Sequence, residues 1–253
     1  MNKATVRQII NVLITLAVIV INTVANALPL NGLNTGEISD RFKIYFVPAG
    51  YVFSIWGVIY LGLIAFAIYQ ALPAQRNNPH VARISTAYAV SGIANIIWIF
   101  FWHYEVFTLT LIPMLVLLGS LIFIFLHLWQ GRNEQRTADR WAIALPFNIY
   151  LGWISVATVA NATQLLYFLN WGGWGIAPEI WALIMLIIAA AIAVAMVLRH
   201  RNIAYAAVFV WAYIGIAVQH SNTPLVAFPA GILAAIIALS LITVAPLKRA
   251  ARS

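Results

Sequence analysis

The chain has 253 residues, 64% of them hydrophobic and only 8% charged, with a mean hydropathy of +0.93. Soluble domains carry about 25% charged residues, so a water-facing globule is excluded, and the absence of cysteine excludes disulfides, thiolate metal sites and a cysteine nucleophile. A formal charge of +8 suits either nucleic acid or the basic loops of a membrane protein, and the placement of the basic residues separates the two.

A bilayer core of about 30 Å takes roughly 20 apolar residues per helix. Cutting the chain where charges or Pro, Asn and Gly clusters interrupt the apolar runs predicts an all-α integral membrane protein with eight transmembrane helices, at 9–28, 49–72, 84–102, 107–129, 141–168, 177–198, 203–218 and 224–245. The first stretch also reads as a signal peptide, with a basic start and an A-x-A site at Ala25-Asn26-Ala27. Against that reading, Asn11, Asn22 and Asn26 make a polar signal core, and Asn22 and Asn26 share a helical face that could meet other helices. The seventh span is the shortest, and the turns flanking it, 199–202 and 219–223, are short enough to make the last three helices antiparallel neighbours.

With the N-terminus inside, all 14 lysines and arginines except Arg41 and Lys43 fall on the cytoplasmic side. Both termini are therefore expected in the cytoplasm, and topology accounts for the positive charge without nucleic acid. Helical spans with this alternation fit a bacterial inner membrane, because outer membranes hold barrels.

No ionisable residue lies near a span centre, which speaks against an ion-coupled path. The five histidines, His80, His103, His127, His200 and His220, sit in loops or near helix ends, and His103 with His220 is the one pair on the outer side that could hold a haem. None of the common nucleophile, zinc or nucleotide motifs occurs.

What is unusual is the aromatic and amide content inside the spans. Trp102, Trp129, Trp141, Trp171, Trp174 and Trp181 mark span ends, as an interfacial belt requires. Deeper in the spans, Phe53, Trp56 and Tyr60 share one face of the second helix, and Gly92, Asn95, Trp98 and Trp102 share one face of the third. On the fifth, Trp153, Ala157 and Asn161 recur at four-residue spacing. A buried amide needs a partner where water is absent, so Asn95 and Asn161 face other helices or a ligand. Such faces either pack helix on helix or line an apolar cavity with a few polar anchors, whose ring faces would suit a planar ligand.

These stripes resemble the TspO/translocator protein family, the tryptophan-rich sensory proteins. Pro48, Gly50, Val52 and Phe53 match the start of its second-helix pattern, approximately P-P-G-W-V-F-x-x-V-W-x-x-x-Y, and Trp56 and Tyr60 match its W-x-x-x-Y end one residue earlier, while Asn95, Trp98 and Phe101 approach its third-helix pattern L-N-x-x-W-x-x-x-F. The run Trp153-Ile154-Ser155-Val156-Ala157-Thr158-Val159-Ala160-Asn161 follows its fifth-helix pattern W-V-S-F-A-T-x-L-N in residue type. The resemblance covers about residues 9–170 and implies a five-helix membrane domain at 1–170, followed by a three-helix extension at 171–253. It also implies a receptor or carrier, often a homodimer, that needs no cofactor but binds a hydrophobic small molecule such as a porphyrin or other tetrapyrrole, or a lipid. Trp56, Asn95, Trp98, Trp153 and Ala157 would line that pocket, with Phe53, Tyr60 and Asn161 supporting them. Light-assisted breakdown of a tetrapyrrole enters only through the resemblance, and no acid, base or metal site for it stands in the sequence.

The chain departs from the family at several points. The first-loop segment W-Y-x-x-L-x-K-P is not recognisable in 38–48, Ala49 replaces the second proline, and Pro146 lies seven residues before Trp153 where the family has four. No cholesterol-type motif follows the fifth span. A competing reading uses all eight helices as a secondary transporter or permease for a small hydrophobic molecule, although no internal repeat supports it.

Overall fold

A computed structural model describes residues 2–28 and 30–244, and among these there are helices and turns but no strand. The helices are α1 (Lys3–Ala27), α2 (Thr35–Asp40), α3 (Ile55–Ala71), α4 (Pro79–His103), α5 (Phe107–Gln130), α6 (Thr137–Asp139), α7 (Leu145–Phe168), α8 (Pro178–His200), α9 (Ile203–Gln219) and α10 (Pro224–Val244). Among the described residues seven helical segments are long and apolar enough to cross a membrane, and a further apolar helix, α9, is shorter. The protein is thus an all-α integral membrane protein with about eight such helices, as its hydropathy requires. Ala245, the predicted end of the last span, and the basic residues Lys248, Arg249 and Arg252 lie outside the described residues, as does Pro29.

Helix ends differ from the hydropathy cuts where capping decides. The Asn2 side chain accepts from the Ala4 amide and starts α1 before its first apolar run. Asn78 caps α4 with Pro79 at its first position, so that helix begins five residues ahead of the predicted 84, through a polar first turn that hydropathy does not register. Upstream of α7 the chain forms a π-helical segment, Arg140–Ala144. Such a segment takes up an irregular stretch of backbone, here just ahead of Pro146, which has no amide to donate. Gly62 of α3 meets Pro146 at this point, and a β-carbon there would stand 3.0 Å from the proline Cβ.

Internal contacts divide the chain into two compact units, Met1–Phe42 with Ile55–Ile154, and Lys43–Ser54 with Ser155–Ser253. In the first, the buried positions of α1 are Gln8, Asn11, Thr15, Val18, Asn22 and Ala25, alternating by three and four residues like one seam of a coiled coil. Most are polar, and each polar one has a partner. Gln8 Nε2 donates to the Gln70 carbonyl at 2.6 Å, and Asn11 Nδ2 donates to Ser85 Oγ at 3.0 Å. Thr15 and Tyr88 share a 2.6 Å hydroxyl contact, and Asn22 Nδ2 donates to Asn95 Oδ1 at 2.7 Å. The near-constant offset between partners, 74, 73 and 73 residues along α1 and α4, shows that these two helices run parallel. Gly92 lets them approach, since a β-carbon there would lie 2.3 Å from Ile14 Cγ2. Taking α1 away would strip partners from Ser85, Tyr88 and Asn95, so the first span is an integral part of this unit.

In the second unit α8 buries Ala182, Leu186, Ala189, Ala190, Ala193 and Val197, and α10 buries Val226, Ala230, Ala234 and Ile237. Small residues at these spacings let helix backbones approach closely in lipid. The segment leading to α3 packs on α9: the Ala49 amide donates to the Gly215 carbonyl at 3.1 Å, and Trp211 Nε1 to the Val52 carbonyl at 3.1 Å. A side chain at Gly215 would collide with Val52, whose Cγ2 would stand 2.2 Å from its β-carbon. Trp171, Trp174 and Trp181 pack ring on ring at 5.3–5.8 Å.

Candidate ligand site

In the first unit Trp56 is the centre of an aromatic group. Its ring stacks on Tyr60 at 5.6 Å and meets Tyr150 edge-on at 5.9 Å and Trp153 at 6.3 Å. Tyr150 and Trp153 are buried, whereas Trp56 and Tyr60 are half-buried. The spacing explains the grouping. Trp56 and Tyr60 are one turn apart on α3, and Tyr150 and Trp153 are three apart on α7, so each pair projects from one helix face. Inclined ring pairs at these separations add about 0.5–1.5 kcal/mol beyond the area they bury.

Asn95, fully buried, stands beside this group. Its Oδ1 accepts from Asn22, and its amide interacts with the Tyr150 hydroxyl. Yet neither Asn95 Nδ2 nor Tyr150 Oη closes a hydrogen bond. An unmade buried hydrogen bond costs about 1–3 kcal/mol, and these two atoms are among several such in the described residues, with Arg7 Nε, Asn11 Oδ1 and His80 Nδ1.

The other expected site residues are placed as follows. Trp98 stacks on Trp102 at 5.1 Å, and Trp102 donates through Nε1 to the Thr35 carbonyl at 3.2 Å, so this arm of the α4 stripe holds the short helix α2. Phe53, Ala157 and Asn161 belong to the second unit. There Asn161 Nδ2 donates to Gln164 Oε1 at 3.2 Å, so its amide has a partner within its own helix. The structure therefore brings together Trp56, Tyr60, Trp153 and, through Tyr150, Asn95. Tyr150 was not among the expected residues, although its position three before Trp153 puts it on the same face.

A separate groove of about 400 Å³ lies between α4 and α5, lined by Ile93, Ile97, Phe101, Ile112, Pro113 and Val116 among others, with no polar surface. Ile93 and Ile97 are each two residues from Asn95 and face away from it. This groove can hold an alkyl chain but offers nothing to orient a polar group.

Among the described residues no group of three or more His, Asp or Glu side chains could hold a metal. Both ring nitrogens of His103 are engaged, Nε2 with Thr35 Oγ1 at 3.1 Å and Nδ1 with the Leu30 carbonyl at 3.2 Å. A carbonyl only accepts, so Nδ1 carries the proton and Nε2 takes the threonine hydroxyl. The remaining polar cluster, in the second unit, is an ordinary tie. The Tyr45 hydroxyl donates to Glu179 at 2.7 Å, and holding that proton against the carboxylate raises the tyrosine pKa above its usual value.

A family model described as TSPO-like protein matches residues 8–243, a span that takes in the last three helices as well as the first five. No curated protein and no solved structure matches the chain. With the match running through nearly the whole sequence, the chain belongs to the TSPO-like family.

Proposed function

We propose that this membrane protein is a receptor or carrier for a hydrophobic aromatic ligand of the tetrapyrrole class, bound at the Trp56, Tyr60, Tyr150 and Trp153 rings beside Asn95. The observation that carries the reading is the aromatic group itself, in which the half-buried Trp56 and Tyr60 stand beside the buried amide of Asn95 and hydroxyl of Tyr150. A planar apolar ligand takes its affinity from the rings and its orientation from a few polar contacts. The protein would sit in a bacterial inner membrane with both termini cytoplasmic. The run of basic residues on one side of the spans supports that orientation, as does the bond from Arg7 Nη2 to the Arg76 carbonyl at 2.7 Å, which joins two of those basic segments at one end of the first unit.

The test is porphyrin binding to the purified protein in detergent, followed by quenching of tryptophan fluorescence. Trp56→Ala is expected to weaken binding about tenfold or more and Asn95→Ala by less, each with the fold intact by circular dichroism. Unchanged affinity in both variants would remove the assignment.

A further inference from the structure

The connection from α5 to α7 carries Arg132, Arg136 and Arg140 and is pinned by a buried carboxylate. Asp139, 2% exposed, accepts through Oδ1 from Tyr69 Oη at 3.0 Å and from Asn78 Nδ2 at 2.7 Å, and through Oδ2 from the Arg136 amide at 3.0 Å. These bonds tie the connection to α3 and to the cap of α4. None of the donors is a cation, so Asp139 organises the loop without pairing with any of its arginines. Gln135, also buried, donates through Nε2 to the Leu128 carbonyl at 2.8 Å and holds the loop to the end of α5.

Arg76, Arg83, Arg132, Arg136 and Arg140 are exposed, and among the described residues none of them forms an ion pair. At the opposite end of α4, by contrast, Arg41 is paired with Glu105. The loop's other acid, Glu134, is exposed and also outside any ion pair. Arg132 and Arg140 converge on one short segment. Arg132 Cζ lies 3.9 Å from the centre of the Trp129 ring, its Nη1 donates to the Trp129 carbonyl at 3.0 Å, and Arg140 Nη2 reaches within 3.5 Å of the Arg132 carbonyl. A guanidinium has five N–H groups, so one bond to a carbonyl leaves most of its donors unused. Holding two cations beside one segment without a paired carboxylate is unfavourable, and an oxyanion from outside the chain relieves it. Headgroup phosphates stand at this height: Arg132 follows the end of α5, Arg140 opens the π-helical segment before α7, and Trp129 and the exposed Trp141 beside them are interfacial residues.

We propose that Arg132 and Arg140 bind the phosphate of an anionic phospholipid headgroup at this end of the first unit, and that Asp139 is a positioning residue which holds their loop in place. Guanidinium forks match phosphate oxygens. A lipid of net negative charge is favoured over a zwitterionic one, whose ammonium group the arginines repel. The proposal requires only that the helices span a membrane, and so stands or falls apart from the aromatic ligand site.

The test is native mass spectrometry of the full-length protein, released from detergent micelles doped with equal amounts of phosphatidylglycerol and phosphatidylcholine of the same acyl chains. The wild-type protein is expected to carry phosphatidylglycerol about tenfold over phosphatidylcholine. The double substitution Arg132→Gln with Arg140→Gln is expected to cut that preference to about twofold or less, while Arg41→Gln, a cation lost at the opposite end of α4, leaves it standing. Asp139→Asn separates a built site from diffuse attraction. It adds one positive charge, so diffuse attraction would raise the preference, whereas loss of the loop's tie lowers it about threefold. Glycerol phosphate in solution offers the same phosphate without acyl chains and should leave the lipid bound. Equal binding of the two lipids by the wild-type protein, an undiminished preference in the double variant, a raised preference in Asp139→Asn, or displacement by glycerol phosphate overturns the proposal. Should Asp139→Asn fail to fold, the double variant, altered only at exposed positions, decides.

Discussion

Helix α1 meets α3 and α4 through Gln8, Asn11, Thr15 and Asn22, whereas α8 and α10 bury alanine, valine, leucine and isoleucine. In lipid there is little hydrophobic drive between helices, so association rests on close packing and on hydrogen bonds; the α1 seam leans on the second, and the buried faces of α8 and α10 on the first. Amide bonds are directional. They fix the register of α1 on α4 and the orientation of each side chain along the seam, and the candidate site lies against this seam. Alanine packing fixes distance without giving polarity to anything nearby. Each unit also depends on one glycine at a close approach, Gly92 in the first and Gly215 in the second.

The contrast can be broken from either side. The largest effect is expected from Gly92→Leu, which drives a side chain into Ile14 and Val18 and pries the seam apart; a loss of about 3 kcal/mol, read as the fall in midpoint of detergent-induced unfolding, would abolish porphyrin binding as well. Next comes Ala193→Leu, which overpacks the fully buried face of α8 and should cost about 1–3 kcal/mol. Because α8 lies in the second unit, porphyrin binding at the Trp56 group should survive this change, and its loss would show that the candidate site does not rest on the first unit alone. Tyr88→Phe removes one hydroxyl contact, yet Thr15 keeps its bond to the Asn11 carbonyl at 2.7 Å, so about 0.6–1 kcal/mol is expected. The smallest effect belongs to Arg41→Ala. Its ion pair with Glu105 is exposed, and exposed pairs contribute about 0–1 kcal/mol, which added salt should erase.

The spans were legible because lipid imposes a length and a polarity that few residues can violate, and the stripe residues were legible because a helix repeats its faces. Trp56 with Tyr60 and Asn95 with Trp98 follow from spacing on single helices. Their partners did not. Which amide Asn95 would find depends on the register of α1 against α4, and that register is set by Gly92 and by side chains scattered over both helices. Asn161 shows the same limit from the other direction: it has the spacing of a ligand residue and bonds to Gln164 one turn away. Tyr150 lies outside the fifth-helix motif, which starts at Trp153, although the tyrosine shares its face. The starts of α1 and α4 are set by the Asn2 and Asn78 caps, which hydropathy does not register.

The most direct test of the account is where a planar ligand lands. A diazirine-bearing porphyrin, photocrosslinked to the wild-type protein in detergent and mapped by peptide mass spectrometry, is predicted to label peptides containing Trp56, Tyr60, Tyr150 and Trp153. Labelling confined to the apolar groove, at Ile93, Ile97, Ile112 and Val116, would contradict it.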